Sequence, residues 1–423
     1  MIDRNGFVAM LRWFPSLFFT KGLVQVVLTT LSVIVYKQLQ LDNSAITFYV
    51  AWLYLPWVIK PLWKPFVDRL NNCRWWILVT ELLLGAGLGG VAFTIPSPLW
   101  LQGTFLLLWL TAFASATHNE AVDNLFKKQP SVNSRAFLVK TLSQKMAKVV
   151  GQGVLVMLAG NMQVLYRNNI RYSWSLVFYI VVGLVLAAFL WHAFQLPNDN
   201  NIQRQRVSFQ QVWDEFLISW RTFMGKPSVA VILLFLLLFR LPEALLGRTS
   251  ILFLLDSMHR GGLGLSPQEY GLVMGTVGVV GLTVGTVVGH RIVRRDGLYS
   301  WVWLIAIATT MPHLGYVYLS YALPANLLVI SLCLFVEQVG YGLGFSFYLQ
   351  LLSQVSSHSV SDSHRTLCKS LMALSLMVPT MAAGALQTAL GYRHFFLLVL
   401  LSCGTTFLTA FMAKKRSLGV HKK

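Results

Sequence analysis

Apolar runs of about 20 residues recur along the whole chain, and each is long enough to cross about 30 Å of hydrocarbon as a helix. The runs are too long for barrel strands, and a helix satisfies its own backbone hydrogen bonds inside a bilayer. The sequence therefore predicts an all-α polytopic membrane protein. Charged residues, prolines and glycines separate about twelve predicted spans, at residues 14–36, 46–62, 75–93, 99–125, 137–158, 173–193, 229–255, 270–288, 301–321, 326–352, 367–386 and 395–412.

A polar interruption at residues 197–225 follows the sixth predicted span. It divides the chain into two six-helix halves, at residues 1–196 and 226–423. Within the interruption, Ser208 and Gln211 have the spacing of a capping box, which predicts the start of a helix. An apolar stripe follows at helical spacing, formed by Trp213, Phe216, Leu217, Trp220 and Met224. We therefore expect an amphipathic helix on the inner membrane surface.

The second span ends in a basic, proline-punctuated segment at residues 55–69, and a basic segment at residues 290–297 follows the eighth span. Both are predicted to be turns, and their matching positions suggest a duplicated six-helix unit. Lysine and arginine are concentrated in alternate loops, which places both termini in the cytoplasm. The predicted cytoplasmic set is Lys64, Arg69, Arg74, Lys127, Lys128, Arg135, Arg204, Arg206, Arg291, Arg294, Arg295, Arg365, Lys414, Lys415, Arg416, Lys422 and Lys423. The predicted outer set is Lys37, Arg167, Arg171, Arg260 and Arg393.

Composition narrows the class of protein further. Hydrophobic residues make up 56% of the chain and charged residues 12%. The formal net charge of +19 is spread over loops rather than gathered in one basic domain, so we expect no binding to nucleic acid. The cysteines, Cys73, Cys333, Cys368 and Cys403, lack metal-binding spacing, so we expect no disulfide framework, metal or cofactor. No nucleophile and base stand out at membrane depth, which argues against an enzyme.

A charged side chain at membrane depth costs about 2.5 kcal/mol or more, so each one calls for an explanation. Polar residues at four-residue steps form one stripe on each of three spans. They are Lys21, Gln25 and Thr29 on the first span, Ser115, Asn119 and Asp123 on the fourth, and Lys140, Gln144, Lys148 and Gln152 on the fifth. Lys140 is expected to snorkel to the interface. Lys145 and Lys148 lie deeper, and two interpretations remain open: pairing with Glu120 or contact with a substrate.

The seventh and tenth spans carry charges near their middles. Arg240 and Glu243 lie one turn apart, where they either neutralise each other or contact a substrate. Glu337 has no cation within one helical turn, so we interpret it as a protonatable, functional carboxyl beside Gln338.

Other charged residues favour gating or structural roles. Asp123 lies near the inner end of its span, where Arg69 or Arg74 could pair with it. Asp68 is expected to accept hydrogen bonds from a helix N-terminus, again a structural role. Lys60 lies in the same proline-punctuated segment and is assigned to the same group.

Two groups of residues are predicted to act through helix packing. His118 is expected to bond another helix rather than carry a proton, although an imidazole can do both. Glu81, about two turns into the third span, is ambiguous. Glycines at three- or four-residue steps predict that the eighth span packs tightly against a neighbour. The glycines of the eighth span are Gly271, Gly275, Gly278, Gly281, Gly285 and Gly289. A second group, Gly340, Gly342 and Gly344, lies on the tenth span.

The twelve spans in two halves resemble the major facilitator superfamily, and three motifs resemble its AmpG-type muropeptide permeases, relatives of the acetyl-CoA transporters. Residues 57–68, WVIKPLWKPFVD, resemble the family pattern Leu-Lys-x-Leu-Trp-x-Pro-x-x-Asp. Residues 115–123, SATHNEAVD, resemble Ser-Ala-Ser-Gln-Asp-x-x-x-Asp, and residues 337–344, EQVGYGLG, resemble Glu-Asn-x-x-x-Gly-Met-Gly. Lys145 stands where the family has arginine, and residues 240–243 stand where it has Lys-x-Gly-Asp.

The resemblance implies proton-driven import of anionic peptidoglycan fragments across the inner membrane by a monomer, through alternating access. It implies that the first, fourth, seventh and tenth spans line a central cavity. Substrate would be bound by Lys21, Gln25, Asn119, Lys145, Lys148, Arg240 and Gln338, and protons by Glu337, Glu243 and Glu120. Asn119 replaces the first aspartate of the family motif, and Glu120 points about 100° away from it on the helix. The alternatives are another cargo, such as a coenzyme-A thioester, a siderophore or a sugar, or a membrane sensor that does not transport.

Overall fold

The structure is a computed structural model that describes residues 10–70, 72–128, 134–197, 208–297, 300–356 and 361–416. The described part is helical and contains no strand. Its α-helices are α1 Phe14–Val26, α2 Ser32–Gln38, α3 Asn43–Trp52, α4 Leu55–Ile59, α5 Lys64–Leu70, α6 Cys73–Thr94, α7 Trp100–Lys128, α8 Ser134–Lys148, α9 Leu155–Leu165, α10 Ile170–Gln195, α11 Phe209–Met224, α12 Val229–Leu238, α13 Leu241–Leu255, α14 Pro267–Leu272, α15 Val279–Asp296, α16 Val302–Thr310, α17 His313–Ala322, α18 Leu327–Val355 and α19 Ser361–Arg416. Short π-helical segments lie at Val27–Leu31, Val149–Val154 and Val273–Gly278, and 3₁₀ turns at Lys60–Leu62 and Met258–Arg260.

The predicted spans lie on these helices. Ten helical segments of the described part are long and apolar enough to cross a membrane, and nine of them correspond to one predicted span each. The tenth, Asp362–Lys415, holds the last two predicted spans, which are separated by the non-helical Gly391 at φ 71°. The predicted fourth span lies on α7, which is 29 residues long but is not among the ten.

Residues 55–62 end the predicted second span and are helical, as that span requires, but the helix continues beyond them as α5, so the prediction of a turn at residues 55–69 was wrong. The segment forms α4, a 3₁₀ turn and α5 in succession. Pro56 lies in the first turn of α4, and Pro65 is the second residue of α5. A proline in the first helical turn removes a backbone N–H that has no partner within the helix, so it does not break the helix there.

The basic segment at residues 290–297 also differs from its prediction as a turn. Helix α15 continues through the basic residues to Asp296. The chain turns only at Gly297, whose φ of 82° favours glycine.

The chain forms two compact units. Unit 1 comprises Met1–Val35 and Leu62–Trp213, and unit 2 comprises Tyr36–Pro61 and Asp214–Lys423. The sequence boundaries at residues 196 and 226 stay a prediction. Arg204 and Arg206 of the predicted linker lie outside the described residues.

Each unit has an apolar core that includes stacked or tilted aromatic rings. In unit 1, Phe14 packs against Phe18 and Phe126, with ring centroids 4.8 and 5.5 Å away. In unit 2, Phe235 stacks on Phe239 at 4.6 Å, and both pack against Phe347 and Tyr348. Buried aromatic pairs of this kind contribute about 0.5–1.5 kcal/mol each beyond the area that they bury.

The predicted linker helix is present as α11. The backbone N–H of Ser208 donates to Gln211 Oε1 at 3.1 Å, which is one of the two bonds of a capping box. Phe216 and Met224 pack against the core of unit 2, while Trp220 is exposed. A location of this helix on the membrane surface stays a prediction.

Glycines bring α15 and α18 close together, as the sequence predicted. A Cβ added to Gly285 would lie 2.8 Å from the carbonyl carbon of Val339 and 3.0 Å from its Cα. A Cβ on Gly342 would lie 2.7 Å from the backbone oxygen of Leu282. Because the obstacles are backbone atoms, any side chain at these positions would push the two helices apart.

Gly285→Ala is therefore expected to destabilise the protein by about 1–3 kcal/mol, the usual cost of overpacking. The measurement is the thermal unfolding midpoint of the purified protein in detergent. Gly404→Ala is the matched control in the same unit, because a Cβ there would meet no atom within 4 Å. Equal midpoints for the two variants would contradict close packing at Gly285.

Candidate substrate and proton sites

Two lysines converge on one carboxylate inside unit 1. Lys21 Nζ on α1 lies 2.7 Å from Asp123 Oδ1 on α7 and donates to the backbone oxygen of Asn119 at 3.3 Å. Lys140 Nζ on α8 lies 3.8 Å from the same Oδ1 atom and 4.7 Å from the ring centroid of Phe126. Lys140 thus contacts Asp123 and Phe126, and its snorkelling to the membrane interface stays a prediction.

The sequence suggested Arg69 or Arg74 as partners of Asp123. Arg74 Nη2 instead donates a hydrogen bond to the backbone oxygen of Ala193 at 2.6 Å. Lys60 is buried at the start of its 3₁₀ turn. The gating roles of Lys60, Arg69, Arg74 and Asp123 stay predictions.

The carboxylate of Asp68 is held by side chains. It accepts hydrogen bonds from Lys64 and from Asn124 Nδ2, the latter at 2.6 Å. Glu120 Oε1 lies 3.5 Å from Lys64 Nζ, so Lys64 links the two acidic residues. The prediction that Asp68 caps a helix N-terminus was wrong, because its bonds go to these side chains.

Small residues bring α1 against the end of α8 and the π-helical segment that follows it. A Cβ on Gly22 would lie 2.8 Å from the Cβ of Ala147, and a Cβ on Gly151 would lie 2.6 Å from a methyl group of Val26. This contact places the polar stripe of the first span next to that of the fifth.

The predicted substrate residues of unit 1 lie near this contact. Gln25, Lys145 and Lys148 are half-buried, and the two lysines are close enough to repel each other electrostatically. Asn119 is buried, and its Oδ1 has no hydrogen-bond partner among the described residues. Two π-helical segments, Val27–Leu31 and Val149–Val154, adjoin these residues, and such segments occur frequently at functional sites.

In unit 2 the predicted seventh span is broken at Arg240. Helix α12 ends at Leu238, and α13 begins at Leu241 with Pro242 in its first turn. Arg240 is 2% exposed, and its Nε lies 2.7 Å from Glu243 Oε2. The sequence left two interpretations of Arg240 and Glu243 open, mutual pairing or contact with a substrate, and the structure shows that the two residues pair.

Aromatic residues of α18 surround the guanidinium of Arg240. Its Nη2 donates to the hydroxyl of Tyr341 at 3.2 Å. The ring centroids of Phe345 and Tyr348 lie 5.2 and 5.5 Å from its Cζ, within the range of cation–π attraction.

The helix break frees backbone oxygens that other side chains satisfy. Thr405 donates to the backbone oxygen of Leu238 at 3.0 Å, and Thr406 to that of Phe239 at 2.9 Å. Non-helical backbone at membrane depth requires such partners, since an unsatisfied carbonyl is costly in lipid.

The carboxyl of Glu337 lies beside an amide rather than a cation. Gln338 Nε2 donates to Glu337 Oε2 at 2.7 Å, and Glu337 is buried on α18. Of the three carboxyls predicted to bind protons, Glu243 faces Arg240 and Glu120 faces Lys64.

Arg248 is a further cation of unit 2 that our sequence analysis missed. It lies on α13, donates to the hydroxyl of Tyr54, and has its Cζ 5.7 Å from the Tyr54 ring centroid. Its buried Nε has no hydrogen-bond partner among the described residues. The criterion that selected Arg240, a charge within an apolar span, also selects Arg248.

A second feature missed by sequence analysis is a buried ion pair at Lys37, which we had assigned to an outer loop. Lys37 lies in the last turn of α2, is 8% exposed, and has its Nζ 2.8 Å from Asp256 Oδ2. The hydroxyl of Tyr392 and Nδ2 of Asn43 also donate to this oxygen. Hydropathy gave no signal for the pair, because both charged residues lie at the ends of apolar runs.

A third missed feature lies in unit 1, where Glu81 meets two histidines. Glu81 Oε1 lies 2.7 Å from His192 Nδ1 and 3.4 Å from His118 Nε2. His118 thus lies against α6, but its Nε2 has no hydrogen-bond partner among the described residues, so the structure does not show the helix-to-helix hydrogen bond that the sequence predicted. The surroundings of Glu81, which the sequence left ambiguous, are these two imidazoles. The described residues contain no group of three or more His, Cys, Asp or Glu side chains arranged to hold a metal ion.

Residues 13–383 match the family profile of the Major Facilitator Superfamily. The match covers most of the chain, and the chain belongs to the Major Facilitator Superfamily. The predicted fold class, an all-α polytopic membrane protein with the major facilitator fold, is confirmed.

Curated relatives carry names of the predicted branch. The AmpG 4 transporter of Rickettsia conorii is 21% identical over 397 residues, which cover 90% of this chain and 90% of the relative. The anhydromuropeptide permease of Escherichia coli K12 is 23% identical over 348 residues, which cover 81% of this chain and 67% of the relative. The resemblance to AmpG-type proteins is thus confirmed at modest identity.

Solved structures agree on the fold. The nucleoside transporter NupG has a TM-score of 0.68 at 15% identity, covering 96% of this chain and 99% of its own. A D-xylose–proton symporter has a TM-score of 0.73 at 12% identity, covering 96% of both chains. At such identities these neighbours show the fold alone and carry no information about the cargo of this protein.

Proposed function

We propose that this protein is a proton-coupled importer of anionic anhydro-muropeptides, working as a monomer by alternating access. It would lie in the inner membrane with both termini in the cytoplasm. The observation that carries the proposal is that each unit holds a cation inside it, the half-buried Lys21 and the buried Arg240, on the spans that line the cavity in the family resemblance. The name of the Escherichia coli relative, an anhydromuropeptide permease, supports the choice of cargo.

An anionic substrate follows from the sign of these charges. Lys21, Lys145, Lys148 and Arg240 are the proposed contacts for carboxylates of a peptide or lactyl group, and we add Arg248. Gln25, Asn119 and Gln338 are the proposed hydrogen-bonding partners of sugar hydroxyls and peptide amides. Asn119 suits this role because its buried Oδ1 has no protein partner in the described part of the chain.

Glu337 is the proposed proton carrier. Removing a carboxylate from water costs several kcal/mol unless it is paired or neutralised. Glu243 and Glu120 face cations and can remain charged, whereas Glu337 faces the amide of Gln338. Protonation is therefore the cheapest way to neutralise Glu337, and Glu243 and Glu120 rank behind it.

The test is uptake of labelled anhydro-muropeptide into proteoliposomes whose interior is alkaline. A coenzyme-A thioester is offered to parallel vesicles. Accumulation of the muropeptide alone would support the proposal, and accumulation of the thioester alone would replace the cargo. Uptake that does not depend on the pH gradient would overturn proton coupling. Binding of the muropeptide without any transport would favour the alternative function, a membrane sensor that does not transport.

Arg248→Gln is expected to raise the KM for the anionic muropeptide about tenfold, because about 1.4 kcal/mol of charge-assisted binding is lost. The kcat for the same substrate is expected to change less than twofold. Concentration-dependent uptake is measured for the muropeptide and for an analogue with an amidated peptide.

The neutral analogue is the internal control, since it lacks the carboxylate that Arg248 would bind. Tyr54→Phe is the matched variant, because it removes the hydroxyl partner and keeps the aromatic ring beside Arg248. An equal rise of KM for both substrates would contradict carboxylate recognition by Arg248.

A further inference from the structure

Four helices of unit 1 bring a carboxyl, two imidazoles and a hydroxyl into one buried cluster. Glu81 on α6, His118 on α7 and His192 on α10 are 0–1% exposed, and Ser16 lies on α1. His192 Nδ1 lies 2.7 Å from Glu81 Oε1, and its Nε2 lies 2.9 Å from Ser16 Oγ. We call these four residues the Glu81 cluster.

The hydrogen bonds of Ser16 show which nitrogen of His192 always carries a hydrogen. The single hydroxyl hydrogen of Ser16 is used in a bond to the backbone oxygen of Trp13 at 2.9 Å. Ser16 Oγ must therefore accept from His192, so the Nε2 atom carries a hydrogen. His192 Nδ1 is left to face the carboxyl of Glu81.

A proton must lie between Nδ1 of His192 and the carboxyl of Glu81. If Glu81 is ionised, Nδ1 has to donate, and His192 is an imidazolium. If Nδ1 is bare, the carboxyl has to donate, and Glu81 is an acid. Two bare acceptors at 2.7 Å would repel each other, and at membrane depth nothing would compensate.

His118 gives this proton a third position. Its Nε2 lies 3.4 Å from Glu81 Oε1. Neither this Nε2 nor Glu81 Oε2 has a hydrogen-bond partner among the described residues, and both atoms are buried. Buried polar atoms are rarely left without a partner, so the two mark a place where a hydrogen bond can form and break.

All three positions of the proton leave the cluster with the same charge. An acid with two neutral imidazoles and a carboxylate with imidazolium at His192 are each neutral overall. A carboxylate with imidazolium at His118 is neutral too, but it requires the contact between His192 Nδ1 and Glu81 to open, because no proton then lies between those two atoms. Moving the proton among them therefore adds no net charge to the membrane interior, which is the expensive step for a buried group.

The cations near the cluster are already bound elsewhere. Glu81 interacts electrostatically with His118 and His192. Arg74 of α6 donates to the backbone oxygen of Ala193, the residue after His192. On the elements that face His118, Lys21 of α1 pairs with Asp123 of α7. Glu120, the other carboxylate of α7 near His118, lies beside Lys64 rather than in the cluster.

We propose that Glu81, His118 and His192 form a proton-binding site of unit 1, in which the proton moves between Glu81, His192 and His118 during transport. Each step transfers one proton. An N–H or O–H bond breaks at the donor, and one N–H or O–H bond forms at the acceptor. His118 precedes Asn119 of the polar stripe on α7 and points about 100° away from it around the helix. The proposal rests on proton-coupled transport, but its first test does not.

The first test is the infrared difference spectrum of the substrate-free, detergent-purified protein between acidic and neutral pH. A shared proton predicts that carboxyl and imidazole bands change together, and that Glu81→Gln or His192→Gln removes both sets. If Glu81→Gln removed a carboxyl band and left the imidazole bands unchanged, the shared proton would be excluded. An unchanged spectrum in both variants would also overturn the proposal.

The second test separates coupling from structure. Glu81→Gln and His118→Gln are expected to lower pH-driven accumulation of muropeptide at least tenfold, and to leave counterflow exchange at equal pH within twofold. Equal losses in accumulation and counterflow would show that the Glu81 cluster only stabilises the fold. No loss in either would exclude a role in coupling.

Two controls keep the outcomes distinct. His313→Gln removes another buried imidazole, which lies outside the Glu81 cluster with its Nδ1 2.9 Å from the backbone oxygen of Thr310. Both pH-driven accumulation and counterflow are expected to persist in this variant. Ser16→Ala removes the acceptor of the Nε2 hydrogen without removing a titratable group. If the unchanged protein transports no muropeptide, the proposed cargo fails, while the infrared experiment still decides whether the proton is shared.

Discussion

Glu337→Gln is expected to reduce pH-driven accumulation of anhydro-muropeptide from about a hundredfold to about onefold under a gradient of two pH units, which stores about 2.7 kcal/mol per proton. Exchange of labelled for unlabelled substrate at equal pH is expected to stay within about twofold of the unchanged protein, because no net proton movement is needed.

The physical reason is that glutamine preserves the shape of the side chain and removes its ability to bind a proton. Glu337 is buried on α18, and Gln338 Nε2 donates to it at 2.7 Å. A glutamine oxygen can accept the same bond, so the local packing is expected to survive. Only the change between charged and neutral forms is lost.

The measurement compares accumulation with counterflow in the same proteoliposomes. Glu269→Gln serves as the control, since Glu269 belongs to a capping box with Ser266 at the start of α14. That variant is expected to accumulate substrate normally. Undiminished accumulation in Glu337→Gln would exclude Glu337 as the essential proton carrier and return attention to Glu243, Glu120 and Glu81.

Arg240→Met is expected to destabilise the protein by about 3–5 kcal/mol, the usual cost of leaving one partner of a buried ion pair alone. Glu243 would then lie among the aromatic side chains of α18 without its cation. Transport of the anionic substrate is expected to be lost in the same variant, because the guanidinium is also a proposed substrate contact.

The double variant Arg240→Met with Glu243→Leu separates these two effects. Replacing both members of a buried ion pair by apolar residues is often neutral or stabilising, so the thermal midpoint is expected to recover. Transport is not expected to recover, because the cation is still absent. A double variant that regains both stability and transport would show that the pair is purely structural.

The helix break beside Arg240 is stabilised by hydrogen bonds from another helix. Pro242 cannot supply a backbone N–H to the carbonyl of Leu238, and Thr405 donates to that oxygen instead. The break therefore lies next to the buried side chain of Arg240, and threonines satisfy the backbone oxygens of Leu238 and Phe239 that it frees. Discontinuous helices with this design form substrate sites in many transporters.

The positions of the membrane helices could be predicted from the sequence alone. The predicted span at residues 14–36 lies within Phe14–Gln38, and the one at residues 326–352 corresponds to Leu327–Val355. Hydropathy succeeds here because the cost of moving a residue into lipid depends on that residue and not on its neighbours. For the same reason, Arg240 and Glu337 stood out as charges that required explanation.

Local sequence was misleading at residues 55–69. Prolines and lysines there indicated a turn, yet α4 and α5 form because Pro56 and Pro65 each fall in a first helical turn. The position of a proline within a helix decides whether it breaks that helix, and this register was not evident from composition.

The tertiary structure decided which polar groups meet. Glu81 and His192 are 111 residues apart, and Lys37 and Asp256 are 219 residues apart. Their pairing depends on which helices are neighbours and on how each is rotated about its axis. Hydropathy carries neither quantity, because it sums the preference of each residue for lipid and contains no term between helices. The sequence thus determined that the chain spans a membrane and which residues carry unusual charges, and only helix packing determined their partners.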